Sequence, residues 1–221
     1  MAKPQLFTPV LLAGCFILVI SFGIRASFGV FQIPIAEEFG WLRADFSMAI
    51  AIQNLAWGIG QPIFGAIAER FGDRRAIVLG ALLYSAGLLA SSFAVTPGQH
   101  QMLEILVGFG IAGTGFGIIL AIVGRASSPE NRSLSLGIAT GVGSFGQMLG
   151  PVVAEVLLQH YPWQGVFVIF SVAVLSTLLV LPLLRAPVKI TRQELEESMG
   201  TVLLRSFKDP SYVMIFVGFF S

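Results

Sequence analysis

The sequence has 221 residues, of which 55% are hydrophobic and only 11% are charged. Soluble domains carry about 25% charged residues, so this chain has too few charges to cover a surface that faces water. The formal net charge of +1 argues against a nucleic-acid partner, and the single cysteine, Cys15, excludes a disulfide within the chain. The composition predicts a membrane protein whose main partner is the lipid bilayer.

Apolar runs long enough to cross a bilayer recur along the chain. A spanning helix needs about 20 mainly apolar residues, and the runs at 9–35, 46–68, 77–93, 105–123, 134–158 and 166–184 meet this requirement. They are continuous and longer than membrane barrel strands, so they are predicted to be helices that satisfy their own backbone hydrogen bonds in lipid. The predicted fold class is an all-α membrane protein with six transmembrane helices.

A seventh apolar run begins near residue 212 and stops at 221, after about half of the 20 residues that a span needs. This indicates an incomplete protein. The predicted domains are a six-helix transmembrane half at 1–187, a cytoplasmic linker at 188–210 with a short amphipathic helix around 194–204, and the start of a seventh helix at 211–221. A removed signal peptide is the alternative for the first run, but that run continues past Arg25 and further spans follow.

The distribution of basic residues predicts the orientation. If the N-terminus is cytoplasmic, only Arg43 falls in an outer connection, and Arg25 falls within the membrane. The other basic residues then all lie on the cytoplasmic side: Lys3, Arg70, Arg74, Arg75, Arg125, Arg132, Arg185, Lys189, Arg192, Arg205 and Lys208. This bias is the one that the positive-inside rule describes.

Arg25 lies near the middle of the first run, where a charge costs at least about 2.5 kcal/mol. Arginine does not lose its proton to escape this cost. One interpretation is a site for a carboxylate or another anion, because the planar guanidinium binds two oxygens at once. The other is a structural ion pair, either with Glu155 or with a group outside this chain. Glu155 and Glu104 are the acidic candidates within the runs, and both are expected near outer helix ends.

Three runs carry polar side chains along one helical face, and such a face meets protein or water rather than lipid. These faces are Ser21, Arg25, Phe28 and Gln32; Ser47, Asn54 and Gln61; and Thr140, Ser144, Gln147, Pro151 and Glu155. They predict a shared aqueous cavity. Asn54 and Gln147 either orient a substrate there or bond helices together, and Trp57 either walls the site or packs between helices. Glu155 either serves in coupling or gating, or reaches the outer interface without a role.

Other features predict packing. The runs at 77–93 and 166–184 contain no charge and no amide, so they are expected to be peripheral helices that face lipid. Small residues four apart let helix backbones approach closely. The pairs of this kind are Gly113 and Gly117, Gly137 and Gly141, and Gly146 and Gly150.

Several motif matches carry no chemistry. Two G-x-G-x-x-G matches, at 108–113 and 141–146, lie inside apolar runs rather than between a strand and a helix, so they do not predict dinucleotide binding. His100 and His160 are isolated, fall in predicted outer connections and have no neighbour at metal-ligand spacing. Since no nucleophile–base pair, phosphate loop or haem motif is present, the sequence predicts neither an enzyme nor a bound cofactor or metal.

The segment Gly65-Ala-Ile-Ala-Glu69-Arg70-Phe71-Gly72-Asp73-Arg74-Arg75 resembles the loop between helices two and three of the major facilitator superfamily, whose pattern is roughly G-x-x-x-D-R-x-G-R-R. Glu69 replaces the usual aspartate, and Asp73 stands where a basic residue is common. A narrower resemblance is to bacterial members of the monocarboxylate and oxalate/formate porter group. Its matching positions are 25–31, 39–41, 53–58, 61–62, 128–132, 146–151 and 163. Glu104 takes the approximate place of an arginine that often opens helix four in the superfamily.

The resemblance implies two halves of six helices around a midplane site, with rocking of the halves giving alternating access. It also implies a cytoplasmic gate that contacts the missing C-terminal six-helix half. The residues that would form this gate are Gly65, Glu69, Arg70, Gly72, Arg74 and Arg75. Gly146, Gly150 and Pro151 would shape the fifth helix where the halves meet.

Three functions remain as hypotheses. The first is a secondary active transporter of small, monocarboxylate-like organic anions in the bacterial cytoplasmic membrane, present here as an incomplete N-terminal half with Arg25 in its site. The second is an exporter of neutral or cationic compounds with the same fold. The third is a non-transporting membrane scaffold or fragment.

Overall fold

The computed structural model describes residues 5–185 together with 208, 210, 213 and 214. The chain divides into two compact units, Met1–Pro187 and Val188–Ser221, and the helices below belong to the first. The predicted amphipathic helix at 194–204 lies outside the described residues. The seventh apolar run also lies outside them, apart from residues 213 and 214, which are helical.

Regular structure in the described part of the chain is helical throughout. The helices are α1 (Pro9–Ser27), α2 (Gln32–Phe39), α3 (Arg43–Phe71), α4 (Asp73–Ser91), α5 (Pro97–Thr114), α6 (Phe116–Ala126), α7 (Arg132–Leu158) and α8 (Trp163–Ser176). A short 3-10 segment, Phe28–Phe31, joins α1 to α2, and another, Thr177–Leu183, extends α8. The all-α fold class predicted from the continuous apolar runs is confirmed.

Local sequence explains where the helices begin and end. Thr8 caps α1 by accepting from the Leu11 N–H, and Thr96 caps α5 in the same way; each is followed by a proline in the first turn. Both features satisfy or remove N–H groups that a helix start leaves unpaired. Gly40 and Gly72 end α2 and α3 with φ angles of 68° and 96°, which side chains other than glycine rarely adopt.

Five of the segments are long and apolar enough to cross a membrane by length and composition: Pro9–Phe39, Asp73–Ser91, Pro97–Ala126, Arg132–Leu158 and Trp163–Leu183. Helix α3 is not among them. Its 29 residues exceed the roughly 20 that a span needs, but Gln53, Asn54 and Gln61 lower its mean hydropathy. The six predicted runs therefore correspond to six helical segments. One of these segments, α3, is less apolar because of its polar residues.

One predicted boundary is wrong. The fourth span begins at Pro97, eight residues before its expected start at 105, whereas the first span ends at Phe39, within four residues of the predicted 35. The early turns of α5 contain glutamines, His100 and Glu104, so hydropathy underestimated the length of this helix. The fourth span is also interrupted at Gly115, whose extended backbone (φ −90°, ψ −171°) separates α5 from α6.

Close backbone approach holds the helices together. A Cβ atom on Gly150 of α7 would overlap the Gly23 carbonyl of α1, and one on Gly80 of α4 would lie 2.6 Å from Gly113 Cα of α5. Such contacts allow van der Waals packing that larger residues prevent. Gly137 and Gly141 are different: a Cβ on either would meet nothing within 4 Å, so the predicted helix contact there does not occur within the described residues.

Helices α4 and α8 each present exposed apolar side chains, such as Leu82 and Val172, as peripheral helices do. Their hydroxyl groups, however, bond helices to one another. Ser85 of α4 and Ser171 of α8 share a hydrogen bond of 2.7 Å, and the Tyr84 hydroxyl donates to the Ser21 carbonyl of α1 at 3.0 Å. The prediction of lipid-facing helices therefore applies to one face of each.

Candidate functional site

Arg25 contacts helix α3. Arg25 lies in the last turn of α1, and its Nη2 atom donates a hydrogen bond of 2.7 Å to Asn54 Oδ1. A neutral amide oxygen accepts from the guanidinium without neutralising it, so the cation keeps its charge and its capacity to attract an anion.

Trp57 completes the contact, because it follows Asn54 by three residues and so lies on the same face of α3. Its ring centroid is 4.5 Å from Arg25 Cζ, which is a cation–π geometry. The edge of Phe22, one turn before Arg25, packs against the indole at 5.9 Å between centroids. We call Arg25, Asn54 and Trp57 the Arg25 cluster.

Two hydrogen-bond donors of the Arg25 cluster are buried and unpaired. They are Arg25 Nε and Trp57 Nε1, and neither has an acceptor among the residues that the structure describes. Buried polar groups in native structures nearly always have a partner, so an orphaned donor indicates a ligand or water that supplies one. Both orphaned atoms are donors on side chains that touch each other. An oxygen-bearing anion has the acceptors that they lack.

The ion pair between Arg25 and Glu155, one form of the structural alternative, is not present within the described residues. Within the described residues, the side chains at ion-pair distance are Arg125–Asp73 and His100–Glu104, and the second is an ion pair only if His100 is protonated. Glu155 is exposed on α7 and makes no hydrogen bond to Arg25. The arginine charge therefore has no carboxylate partner in the part of the chain that the structure describes.

The predicted shared cavity receives mixed support. Asn54, Ser144 and Glu155 are exposed and Gln147 is half-buried, but no hydrogen bond joins Gln147 to the Arg25 cluster among the described residues. Its substrate-binding role stays a prediction. On α1, Ser21 is buried and shares a hydrogen bond of 2.9 Å with Thr114, so the expectation that it lines the cavity beside Arg25 is wrong.

A second polar cluster was missed by the sequence analysis. Glu104 was expected near the outer end of its helix and His100 in an outer connection. Both lie in α5, and at most 1% of the surface of either residue is exposed. Gln53 of α3 donates to Glu104 Oε2 at 2.6 Å, and His100 Nε2 lies 3.7 Å from Glu104 Oε1. The spacing of four residues between His100 and Glu104, typical of neighbours on one helix face, was the available signal.

The segment that resembles the superfamily loop turns sharply at Gly72, and Gly65 lies two turns earlier on α3. Arg74 donates to the carbonyls of Leu184 and Pro182, which ties the start of α4 to the end of the sixth span. Asp73, the departure from the usual pattern, pairs with Arg125 at the end of α6. Glu69, Arg70 and Arg75 are exposed.

Comparison with known proteins identifies the family. A sequence profile of the Major Facilitator Superfamily matches residues 13–221. The chain belongs to the Major Facilitator Superfamily. This membership confirms the resemblance carried by the loop at 65–75, and with five membrane-capable helices it makes the chain an integral, multi-pass membrane protein.

The chain is similar to transporters with different described roles. The chain is 36% identical to "Monocarboxylate transporter 13" of Bos taurus over 165 residues, which are 73% of this chain and 38% of that protein. It is 29% identical to "Methyl viologen resistance protein SmvA" of Salmonella typhimurium over 133 residues, 60% of this chain and 26% of that protein. The chain thus spans well under half the length of these superfamily relatives.

Solved structures show the same fold. An inward-open structure of the xylose transporter XylE from E. coli superposes with a TM-score of 0.71 at 15% identity, covering 96% of this chain and 55% of that one. At this identity the likeness concerns the superfamily fold alone. It agrees with the helical half inferred from the apolar runs.

Proposed function

We propose that this superfamily member carries small organic anions, monocarboxylates above all, across the membrane by alternating access, and that the chain forms the N-terminal half of the carrier. The Arg25 cluster is the observation on which the proposal depends. A permanent cation, held by a neutral amide and an indole ring, presents buried donors and has no carboxylate partner in the described part of the chain.

The chemistry of the cluster suits a carboxylate better than other solutes. A guanidinium binds two carboxylate oxygens through parallel N–H donors, and an indole N–H next to it adds a third donor without adding charge. Because the cluster lies in helices of a membrane protein, its surroundings screen charge less than water does, which strengthens its attraction for an anion. The similarity to a protein named as a monocarboxylate transporter supports the same substrate class.

A second half would pack against α3 and α7. Apolar side chains such as Ile59 and Met148 are exposed there, beside the exposed polar groups Asn54 and Glu155. Polar side chains within a membrane face protein or water, so these mixed faces suit a protein neighbour that lines an aqueous path. The exposed gate residues Glu69, Arg70 and Arg75 are available to the same neighbour. Gly146 and Gly150 of α7, expected where the halves meet, pack instead against Val19 and Gly23 of α1 within this half, and Pro151 follows them on α7.

The test is uptake of radiolabelled lactate into proteoliposomes that contain the carrier with both halves. Unlabelled lactate and acetate should compete, while lactamide, the uncharged amide of similar size, should not. The comparison isolates the carboxylate charge that Arg25 is proposed to bind. Equal competition by lactamide would show that the site does not select for an anion.

Export of an organic cation is the second candidate, favoured by the similarity to the methyl viologen resistance protein. The uncompensated charge of Arg25 counts against it, since like charges repel strongly in a medium of low dielectric. Efflux of methyl viologen from loaded proteoliposomes separates the two candidates. A bacterial cytoplasmic membrane is the location that we propose for either carrier.

A further inference from the structure

The polar cluster at the start of α5 has a geometry suited to holding a proton. Glu104 Oε2 accepts from Gln53 Nε2, while Glu104 Oε1 and His100 Nε2 face each other at 3.7 Å. Neither of these two atoms has a hydrogen-bond partner in the described part of the chain. The gap is only slightly longer than a hydrogen bond. If the gap closes to hydrogen-bond distance, a proton on the Glu104 carboxyl can be donated to His100 Nε2 and gives both atoms a partner.

Aromatic rings enclose this pair. The His100 ring stacks on Phe46 from α3 and on Phe167 from α8, with centroids 5.7 and 6.2 Å away, and Trp41 packs at 5.9 Å. Glu104 has no exposed surface, and His100 is 1% exposed. The cluster is therefore shut off from water by side chains from three different parts of the fold.

Burial sets the charge that the pair can carry. A carboxylate beside a neutral imidazole has a net charge of −1, and an isolated charge in an apolar enclosure is costly unless it is paired. One added proton on the Glu104 carboxyl, beside a neutral imidazole, leaves both groups uncharged, whereas a proton on His100 would leave two buried charges. In the described residues no lysine or arginine forms an ion pair with Glu104, so a proton is the remaining means of neutralisation within this part of the fold.

The groups that face the pair from neighbouring helices do not replace the proton. Gln53 on α3 is a neutral amide, and the Tyr84 hydroxyl on α4, which interacts electrostatically with Glu104, already donates to the Ser21 carbonyl. Asp45, at the start of α3, accepts from the Leu42 N–H. The positive charge of Arg25 on α1 interacts electrostatically with Tyr84, and the Arg25 guanidinium donates a hydrogen bond to Asn54.

We propose that Glu104 and His100 form a proton-binding site whose occupancy is linked to the Arg25 cluster through α3. Gln53 contacts Glu104, and the next residue, Asn54, contacts Arg25, so movement of α3 changes both contacts together. While the aromatic rings enclose the pair, it retains a proton taken from water. When they separate, water stabilises the ionised carboxylate and the proton leaves as hydronium. This coupling role depends on the proposed transport function, whereas proton binding itself does not.

Infrared spectroscopy of the purified chain in lipid tests proton binding without transport. At neutral pH exposed carboxyl groups are ionised, so a carboxylic-acid C=O band reports a buried protonated group. This band should be present, shift in D₂O and disappear in Glu104→Gln, which keeps an acceptor for Gln53. Glu155→Gln, at an exposed carboxyl, should leave it unchanged. A band that persists in Glu104→Gln, or is absent in the unaltered protein, overturns the proposal.

If Glu104→Gln does not insert, His100→Phe decides the question, because phenylalanine fits between the rings of Phe46 and Phe167. Loss of the imidazole should shift the frequency of the carboxylic-acid band. An unchanged band would show that Glu104 does not share its proton with His100, contrary to the proposal.

Coupling is tested in proteoliposomes that contain the carrier with both halves. Glu104→Gln should lose at least tenfold of the lactate accumulation driven by a proton gradient, while exchange of internal for external lactate continues. Accumulation that survives the substitution overturns the coupling role. If the unaltered carrier moves no carboxylate at all, the proposed function fails, and the infrared result still decides whether the proton site exists.

Discussion

Gln53 and Asn54 are successive residues of α3, yet they bind different helices. Gln53 donates to Glu104 of α5 at 2.6 Å, and Asn54 accepts from Arg25 of α1 at 2.7 Å. Successive side chains on a helix point about 100° apart. One turn of α3 therefore lies between Arg25 and Glu104 and forms a hydrogen bond to each of them. Helix α3 is thus the physical connection between the two polar clusters of the structure.

Replacing Arg25 should remove anion binding without removing the fold. In Arg25→Ala, lactate uptake should fall at least tenfold, since a hydrogen bond to a charged group contributes about 1.5–3 kcal/mol. Arg25→Lys keeps the charge but not the planar fork, so it should retain an intermediate rate. Uptake into proteoliposomes at several lactate concentrations measures both effects.

Arg43→Ala is the matched control for these variants. Arg43 is exposed at the start of α3, and its backbone carbonyl, not its side chain, accepts from Gln32. Uptake by this variant should equal that of the unaltered carrier. If Arg25→Ala transports lactate as well as Arg43→Ala does, Arg25 does not belong to the substrate site.

Trp57→Phe tests the orphaned indole donor. The substitution keeps an aromatic ring against Arg25 but removes Nε1–H, so the KM for lactate should rise about five- to tenfold, as expected for roughly 1 kcal/mol of lost hydrogen bonding. Trp163→Phe is the control, because the Trp163 indole already donates to Glu38. That variant should lower thermal stability and leave KM unchanged; an unchanged KM in Trp57→Phe would exclude the indole as a substrate donor.

Two glycines of α7 should respond in opposite ways to alanine. Gly150→Ala places a Cβ against the Gly23 carbonyl and should destabilise the chain by about 1–3 kcal/mol through overpacking. Gly137→Ala, on the same helix with open space around it, should stabilise it by up to about 1 kcal/mol because alanine favours helix. Melting temperatures in one detergent measure the difference, and equal values would contradict the α1–α7 packing.

The Asp73–Arg125 ion pair is half-exposed, so its contribution should be modest. A double-mutant cycle with Asp73→Asn and Arg125→Gln should give a coupling energy of about 0.2–1 kcal/mol, as is usual for such pairs. Asp73→Asn alone should cost slightly more, because Asp73 also lies in the first turn of α4, where a negative charge is favourable. Thermal unfolding of the three variants provides the measurement, and a coupling energy of zero would mean that the pair makes no net contribution to stability.

The helical segments and the loop at 65–75 could be recognised without coordinates. Hydrocarbon offers backbone groups no hydrogen bonds, so long apolar runs have few options other than helix. The fourth span shows the limit of this reasoning. Its first two turns tolerate polar residues because rings from other helices cover His100 and Gln53 of α3 donates to Glu104. Hydropathy along one segment does not include these contacts with other helices.

For the candidate site, the sequence singled out Arg25, Asn54 and Trp57 separately, and the structure places them in contact. Gln147, chosen by the same argument, makes no hydrogen bond to them in the described region. A polar face on a helix shows that something polar lies opposite. It does not show which of several neighbouring helices provides it.

The sequence by itself determined that this chain crosses a membrane, that its segments are helical and that a buried arginine lies in the first of them, because these follow from the free energy of placing side chains and backbone in hydrocarbon. Only the tertiary structure decided how the polar groups are paired: Arg25 with Asn54 rather than with Glu155, and Glu104 with Gln53, 51 residues away. Such pairs depend on the rotation and crossing of helices, which side-chain packing across the whole bundle sets.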